Sequence, residues 1–193
     1  MLMDKDLLTQ KFNQGLPYGD FVALGESEGH RPPWDQRYEQ LALADEQDGL
    51  VKSFTRHMYV LCLTGTWCGD CALQGSAMQR IAEANPEKIV LRFILRSDEH
   101  ADLIVKSQIN AGFRVPVTWF LAEDFEPTAW FGDRTLSRYE SMGRKALPPE
   151  EAELLGPPPT DPVRHVLSET LDEFERVHLV LRLSPRLRQK HGD

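Results

Sequence analysis

The sequence predicts an α/β protein in which helices cover a mixed four-stranded sheet. Three short apolar runs have strand length, at residues 58–63, 89–95 and 115–121. The segments between them carry apolar residues at helical spacing. A strand, a helix and a second strand in this order form a parallel pair, whereas the last two strands are close enough in sequence for an antiparallel hairpin.

The region ahead of the first strand predicts helices. Apolar positions between residues 7 and 12 indicate a short helix. Residues 26–34 contain one glycine and two prolines, which predict a loop. A longer helix is expected from Asp35 to about Arg56, with Gly49 as a candidate point of interruption.

The central region predicts alternating strands and helices. Met58–Leu63 is wholly apolar, as is typical of a strand buried on both faces. The remaining predicted elements are a helix opened by Cys68 and closed by Pro86, a strand at Ile89–Leu95, a helix capped by Asp98 and ended by Gly112, and strands at Val115–Leu121 and Thr128–Phe131.

The last part of the chain combines a proline-rich connection with an amphipathic helix. Residues 147–162 contain six prolines and predict a linker or a surface wrap. An apolar stripe from Val163 to Leu181 predicts a helix packed on the sheet, and the basic residues after it predict a solvated tail. We therefore divide a single domain into an N-terminal helical extension (1–57), a core (58–146) and a C-terminal addition (147–193).

The bulk composition excludes several classes of protein. Hydrophobic residues make up 41% and charged residues 27% of the chain, which is ordinary for a globular protein. The formal charge of −8 disfavours nucleic acid as a partner. Charges within the first six residues argue against a signal peptide, and the longest uncharged apolar stretch is too short to span a membrane. We expect a cytoplasmic protein without membrane contacts.

The run Trp67-Cys68-Gly69-Asp70-Cys71 predicts a redox-active dithiol. A cysteine at a helix N-terminus meets free backbone N–H groups and a partial positive charge, both of which favour the thiolate. Cys71 lies one helical turn further on the same face, where it can resolve a mixed disulfide held by Cys68. Trp67 is expected to cover the sulfur pair and to offer an apolar surface to substrate.

On these residues the chain resembles the thioredoxin superfamily from about Met58 to Phe131. The WCGDC run is similar to the family's active-site run, and residues 112–118 are similar to the segment that carries its cis-proline. A bacterial subgroup with helices ahead of the first core strand is the more specific resemblance. It implies a three-layer sandwich, a cis Pro116 facing the Cys68 sulfur, and backbone hydrogen bonds from Val115 to substrate. The substrate-binding residues predicted in this way are Trp67, Gly69, Asp70, Val115 and Pro116.

Two residues depart from the thioredoxin pattern. Asp70 stands where thioredoxin has proline between the cysteines, and its carboxylate predicts a less acidic Cys68 than a neutral residue would give. Cys62 stands where thioredoxin keeps a buried acid as proton acceptor for the resolving thiol. Efficient general thioredoxin activity is therefore not predicted.

The resulting hypothesis is a thiol–disulfide oxidoreductase that reduces or exchanges protein disulfides with the help of an external reductant and without a cofactor. A zinc site is not predicted, since no second pair of closely spaced cysteines or histidines accompanies Cys68 and Cys71. Cys62 is interpreted as a core residue. The alternative function is a redox-responsive adaptor that retains the fold, oxidises once and changes its binding to a partner.

Overall fold

The computed structural model describes residues 3–193, and these residues form a mixed four-stranded sheet with helices on both faces and at both ends. The described residues do not include Met1 and Leu2, which belong to the N-terminal segment used to argue against a signal peptide. The strands are β1 (Met58–Thr64), β2 (Ile89–Leu95), β3 (Val117–Leu121) and β4 (Pro127–Gly132). The helices are α1 (Lys5–Gln14), α2 (Tyr18–Ala23), α3 (Arg31–Gln40), α4 (Asp45–Lys52), α5 (Gly69–Ala84), α6 (Ala101–Lys106), α7 (Leu136–Ala146), α8 (Pro149–Ala152), α9 (Pro162–Leu183) and α10 (Pro185–His191).

The sheet has the order β2-β1-β3-β4, which confirms the predicted fold class. β1 and β2 are parallel, and β3 runs antiparallel to both β1 and β4. β1 is the second strand of the four and is buried along nearly its whole length, as its apolar composition predicts. Leu63 pairs with Val117, so the end of β1 and the start of β3 lie side by side. The dithiol lies beside these strand ends.

Helix α3 corrects the predicted loop at residues 26–34. It begins at Arg31, and Pro32 and Pro33 occupy its first turn. Proline is tolerated there because the first N–H groups of a helix have no intrahelical partner. The predicted helix from Asp35 to Arg56 is also interrupted, but at residues 41–44 and not at Gly49, which lies inside α4.

Several predicted bounds in the second half of the chain are wrong. Asp98 does not cap a long helix: a short 3-10 turn at 98–100 precedes α6, which ends at Lys106. Helix α7 was not predicted, because its apolar residues Leu136 and Tyr139 are exposed. Its first turn is anchored instead by Glu169 of α9, which accepts hydrogen bonds from Ser137. The segment at 147–162 contains the short helix α8.

The C-terminal residues fold against the protein and are not a solvated tail. The buried side of α9 includes Val166, Phe174 and Leu181, as its stripe predicts. Helix α10 buries Leu187, and its basic residues pair with the acids of the β3–β4 turn: Arg186 with Asp124, and Lys190 and His191 with Glu123. The additions at the two ends also meet, through an ion pair between Arg56 and Asp193.

Candidate active site

Cys68 lies at the point where the chain leaves the sheet and enters α5. Residues 65–67 turn after β1, and Cys68 takes the N-cap position of α5 with an extended backbone. Its Sγ accepts a hydrogen bond from the backbone N–H of Cys71 at 3.3 Å. The sulfur therefore satisfies a backbone donor that the first turn of a helix leaves free, as a Ser or Asp cap would do.

The start of β3 supplies the opposite wall of the site. The Val115–Pro116 peptide bond is cis. Antiparallel pairing of β1 with β3 brings this segment beside Cys68, whose thiol donates to the carbonyl of Val115 at an Sγ–O distance of 3.9 Å. Of the two residues that the family resemblance indicated, Val115 thus contacts the outer sulfur, and Pro116 follows it across the cis bond.

The two cysteines of the run have opposite pKa shifts. Hydrogen bonds from the Cys71 thiol and from the backbone N–H groups of Cys71 and Asp70 lower the pKa of Cys68 to about 7, although partial burial and the charge of Asp70 oppose this. Complete burial raises the pKa of Cys71 well above its ordinary value, and the neighbouring Cys68 adds to the increase. At neutral pH a substantial fraction of the outer sulfur is therefore thiolate, whereas the inner one stays protonated.

Two arginines from the C-terminal half of the sequence pair with the carboxylate of Asp70. Arg134 donates from Nε to Oδ2 at 2.6 Å, and Arg138 donates from Nε to Oδ1 at 2.8 Å. Arg134 lies just ahead of α7 and Arg138 lies on its first turn. The acid that was predicted to oppose the Cys68 thiolate is therefore paired on both oxygens.

Arg134 extends this network to a second, buried acid. Its Nη1 donates to Oδ2 of Asp133 at 2.8 Å, and Asp133 is 1% exposed. Tyr139 and Arg114 also donate to the Asp133 carboxylate. Burial alone would raise the pKa of Asp133, but these hydrogen bonds and the charge of Arg134 hold it below its usual range. The network joins α5, α7 and the segment before β3.

Trp67 is the exposed member of the run, with 46% of its surface accessible. Its ring lies against the backbone of Gly65, where an added Cβ would approach ring atoms to 2.8 Å. The guanidinium of Arg96 lies 5.4 Å from the ring centroid. Gly69, the first residue of α5, has open space around it. Trp67 is thus fixed in place while its outer surface stays free for a partner.

The N-terminal extension supports the active-site turn directly. The indole Nε1 of Trp34 donates to the carbonyl oxygen of Thr66 at 2.8 Å, and Trp34 is fully buried. The Nδ1 of His30 lies 3.1 Å from the Thr66 hydroxyl. Sequence analysis gave neither residue a role. Tryptophan after two prolines carries no chemical signal, and only the fold brings it beneath the cysteines.

Cys62 is fully buried in β1, as predicted, and does not replace the family's buried acid as a proton acceptor for Cys71. Burial raises its pKa to about 12. Thr64, two residues later and also buried, lies close enough to Cys71 for its hydroxyl to lower the pKa of that thiol. No carboxylate acts on the Cys71 thiol from within residues 3–193 in the way that the family's buried acid would.

A pocket of about 500 Å³ opens beside Cys68. Its polar lining consists of Asp70 and three arginines, of which Arg37 comes from α3 and the other two are the partners of Asp70. Leu73 of α5 and Pro162 and Val163 of α9 add apolar walls. We call it the arginine pocket, after Arg37, Arg134 and Arg138. These three residues were not predicted, since isolated arginines in a sequence resemble ordinary surface charges.

Residues 3–193 contain no group of three or more metal-ligating side chains arranged to hold a metal ion. None of the helices they form combines the length and apolar character that crossing a membrane requires.

Two solved structures have a similar fold. One is a protein of unknown function from Pseudomonas aeruginosa, at 21% identity and a TM-score of 0.63, and the other is an HIV epitope scaffold, at 17% identity and a TM-score of 0.61. The first alignment covers 91% of this chain and 99% of the other, and the second covers 88% and 95%. No curated protein matches the sequence.

The thioredoxin family model matches residues 18–146. This span begins at α2 and ends with α7, so it includes the N-terminal helices that support the active-site turn as well as the sheet. It is broader than the resemblance from Met58 to Phe131 on which the sequence prediction depended. Membership supports a redox or thiol-related role. The chain belongs to the thioredoxin family.

Proposed function

We propose that this protein is a thiol–disulfide oxidoreductase that reduces disulfides of protein substrates through a mixed disulfide on Cys68. The observation that carries the proposal is the opposite behaviour of the two thiols. The pKa of the accessible Cys68 is about 7, whereas that of the buried Cys71 is raised well above the ordinary value. Such a difference separates attack on substrate from resolution of the mixed disulfide.

The proposed reaction has two exchanges. The Cys68 thiolate attacks a substrate disulfide, a Cys68–substrate bond forms, and the departing substrate thiolate takes a proton from water. Cys71 then gives its proton to water and attacks Sγ of Cys68, which forms the Cys68–Cys71 disulfide, breaks the Cys68–substrate bond and releases the second substrate thiolate. Two electrons pass to the substrate. An external dithiol reductant restores both thiols by the reverse exchanges, and no bound cofactor takes part.

The surroundings of Cys68 support roles for the other predicted residues. Trp67 offers an exposed aromatic face, and the cis peptide at Val115–Pro116 leaves backbone groups beside the sulfur for an extended substrate segment. Gly69 adds no side chain that would obstruct access. Asp70, held by Arg134 and Arg138, contributes its backbone N–H to the Cys68 thiolate.

The reduction potential of the dithiol tests this proposal. Equilibration in glutathione or dithiothreitol buffers, followed by trapping of free thiols, should give a value near or below about −230 mV, in the range of thioredoxins and glutaredoxins. Cys71→Ser should accumulate a mixed disulfide with a disulfide substrate, and Cys68→Ser should not. Cys62→Ser, at the buried third cysteine, is the matched control and should leave the trapped species unchanged. A protein that forms no Cys68–Cys71 disulfide contradicts the mechanism.

The adaptor function remains the second candidate because of Cys62. Its raised pKa of about 12 makes it a poor proton acceptor for Cys71 at neutral pH, which favours slow resolution. Turnover distinguishes the two functions. An oxidoreductase reduces many equivalents of a disulfide when an external reductant is present, whereas an adaptor oxidises once and then differs in partner binding. The expected cytoplasmic location is part of the same proposal, since reducing compartments keep such dithiols active.

A further inference from the structure

The arginine pocket concentrates positive charge beside the attacking sulfur of an acidic protein. Its three guanidinium groups outnumber the carboxylates of Asp70 and of the buried Asp133 that pairs with Arg134, which leaves a formal charge of +1, whereas the whole chain carries −8. Cys68 lies in the wall of the same pocket. A substrate whose disulfide reaches Cys68 therefore places its neighbouring groups among arginines.

The arginines keep N–H groups available after their contacts with the protein. Among residues 3–193 no carboxylate forms an ion pair with Arg37, whose Nη1 donates to the amide oxygen of Gln40 at 2.7 Å. Arg134 donates to Asp70 through Nε and to Asp133 through Nη1, and it also contacts Tyr139, so Arg37 is the least engaged of the three. A planar guanidinium with free N–H groups fits a carboxylate in a two-point arrangement.

The apolar part of the pocket limits what the ligand looks like. Leu73 of α5 lines the pocket on one side, and Pro162 and Val163 line it from the start of α9. The first N–H groups of α9 are already bonded to the side chain of Asp161, so this helix end offers no free anion site. The ligand that fits is a short aliphatic chain ending in a carboxylate, bound by arginine side chains.

We infer that the arginine pocket selects disulfides that carry a carboxylate within a few bonds of the attacked sulfur. This inference rests on the proposed oxidoreductase function and adds the class of substrate to it. Such a carboxylate is provided by a small acidic disulfide or by an acidic residue next to a cysteine of a peptide. In both cases Cys68 attacks the sulfur, two electrons pass to the substrate as described above, and the carboxylate stays bound without reacting.

The test compares disulfides that differ in charge. The probes are 3,3′-dithiodipropionate (dianionic), bis(2-hydroxyethyl) disulfide (neutral) and cystamine (dicationic), each with its rate divided by that of dithiothreitol reducing the same compound. We expect the normalised rate to fall in that order. Arg37→Gln should lower the ratio of the anionic to the neutral rate about three- to fivefold, since partly exposed charge pairs have modest energies. Arg176→Gln, an equal change of charge on the outer face of α9, is the control and should retain the wild-type ratio.

A second pair of probes identifies the source of the carboxylate. Peptide disulfides with glutamate or glutamine next to the cysteine test the protein source, and dithiodipropionate tests the small-molecule source. Preference for the acidic member of either set supports the pocket and names its source, and added salt should reduce that preference by screening. Equal normalised rates for all charges overturn the inference and leave the dithiol mechanism intact. If Cys68 reacts with no disulfide, the mechanism and the inference both fail.

Discussion

At the scale of single residues, hydrogen bonds and burial make two similar thiols differ in acidity. Cys68 and Cys71 are three residues apart, yet Cys68 accepts backbone hydrogen bonds at the start of α5 while Cys71 is enclosed by the core. Asp70 lies between them in the sequence and affects the pKa of Cys68 in two opposite ways. Its charge raises the pKa of Cys68, while its backbone N–H lowers it.

The first prediction separates these two effects of Asp70. Asp70→Asn removes the carboxylate and retains the backbone N–H. It also leaves Arg138 without its acidic partner, while Arg134 keeps Asp133. Loss of the negative charge and the gain of an unpaired positive charge both favour the thiolate, so we expect the pKa of Cys68 to fall below its value of about 7. Alkylation by iodoacetamide as a function of pH measures this: the rate rises as pH passes the pKa, and the midpoint should move to lower pH.

Asp172→Asn on the exposed side of α9 provides the control for this titration and should leave the midpoint in place. An unchanged midpoint in Asp70→Asn would contradict the prediction and mean that the two arginines already cancel the charge of the aspartate. A higher midpoint would contradict the assignment of Asp70 as the residue that opposes the thiolate.

At the scale of elements, the contact between α3 and α5 determines the shape of the active-site turn. Gly75 of α5 faces the indole of Trp34, and a Cβ added there would lie 2.5 Å from ring atom Cζ3. The same indole donates to Thr66 in the turn ahead of Cys68. Phe21 and Phe93 pack against Trp34 on its other sides, so the ring has no room to move away. The absence of a side chain at Gly75 therefore permits the close approach of the two helices.

The second prediction uses this close approach. Alanine normally stabilises a helix interior relative to glycine by about 1 kcal/mol, because the unfolded chain loses less freedom. At Gly75 the clash with a buried ring outweighs that gain, and we expect Gly75→Ala to lower the free energy of unfolding by about 1–3 kcal/mol. Urea denaturation measures the change.

Gly49→Ala is the matched control, since it lies inside α4 with no atom within 4 Å of an added Cβ. It should raise stability by up to about 1 kcal/mol. Displacement of the indole in Gly75→Ala should also shift the pH midpoint of Cys68 alkylation, because the turn ahead of Cys68 loses its support. If both alanine variants are stabilised, the packing of α3 on α5 is looser than described.

At the scale of the whole molecule, the additions at both ends share the core of the sheet. Leu8 of α1 and Leu187 of α10 are almost fully buried in the same apolar cluster as the strands. Leu16, between α1 and α2, exchanges two backbone hydrogen bonds of 2.8 Å with Phe93 of β2. These contacts favour the predicted single domain, in which the extension (1–57) and the C-terminal addition (147–193) unfold together with the core.

The third prediction tests this cooperativity. Leu8→Ala and Leu187→Ala should each lower the free energy of unfolding by about 2–5 kcal/mol, because both remove buried methyl groups. Far-ultraviolet circular dichroism and tryptophan fluorescence should report one common transition in urea for both variants. Leu154→Ala, at a site that is 85% exposed, should change stability little. Separate transitions for the two probes would show that an addition unfolds independently of the sheet.

The extent of sequence-based prediction differs between the sheet and the site. The strands were predicted within about two residues because each is a short apolar run, and the dithiol followed from the spacing of Cys68 and Cys71. Helix α7 was missed because it presents exposed apolar residues and is anchored through Glu169 of another helix. The start of α3 was missed because proline was interpreted as a breaker where the first turn tolerates it.

The charged surroundings of Cys68 were beyond the reach of sequence patterns. Arg37, Arg134 and Arg138 are separated from the cysteines by about 30 to 70 positions, and each is an ordinary surface residue by composition. Trp34 is similar. Only the packing of α3 and α7 around the start of α5 brings these side chains together, and a pairwise contact over such separations leaves no periodicity in the sequence.

The double pairing of Asp70 has a consequence for engineering. The two residues between the cysteines are the natural positions at which to change the reduction potential of a dithiol. Here they cannot be exchanged independently of the rest of the protein. Introducing proline at position 70 would remove the shared counter-ion of Arg134 and Arg138, and Arg134 also contacts the buried Asp133. A motif transplanted into this scaffold would therefore behave differently from the same motif elsewhere, and redesign has to treat the dithiol and the distant guanidinium groups as one unit.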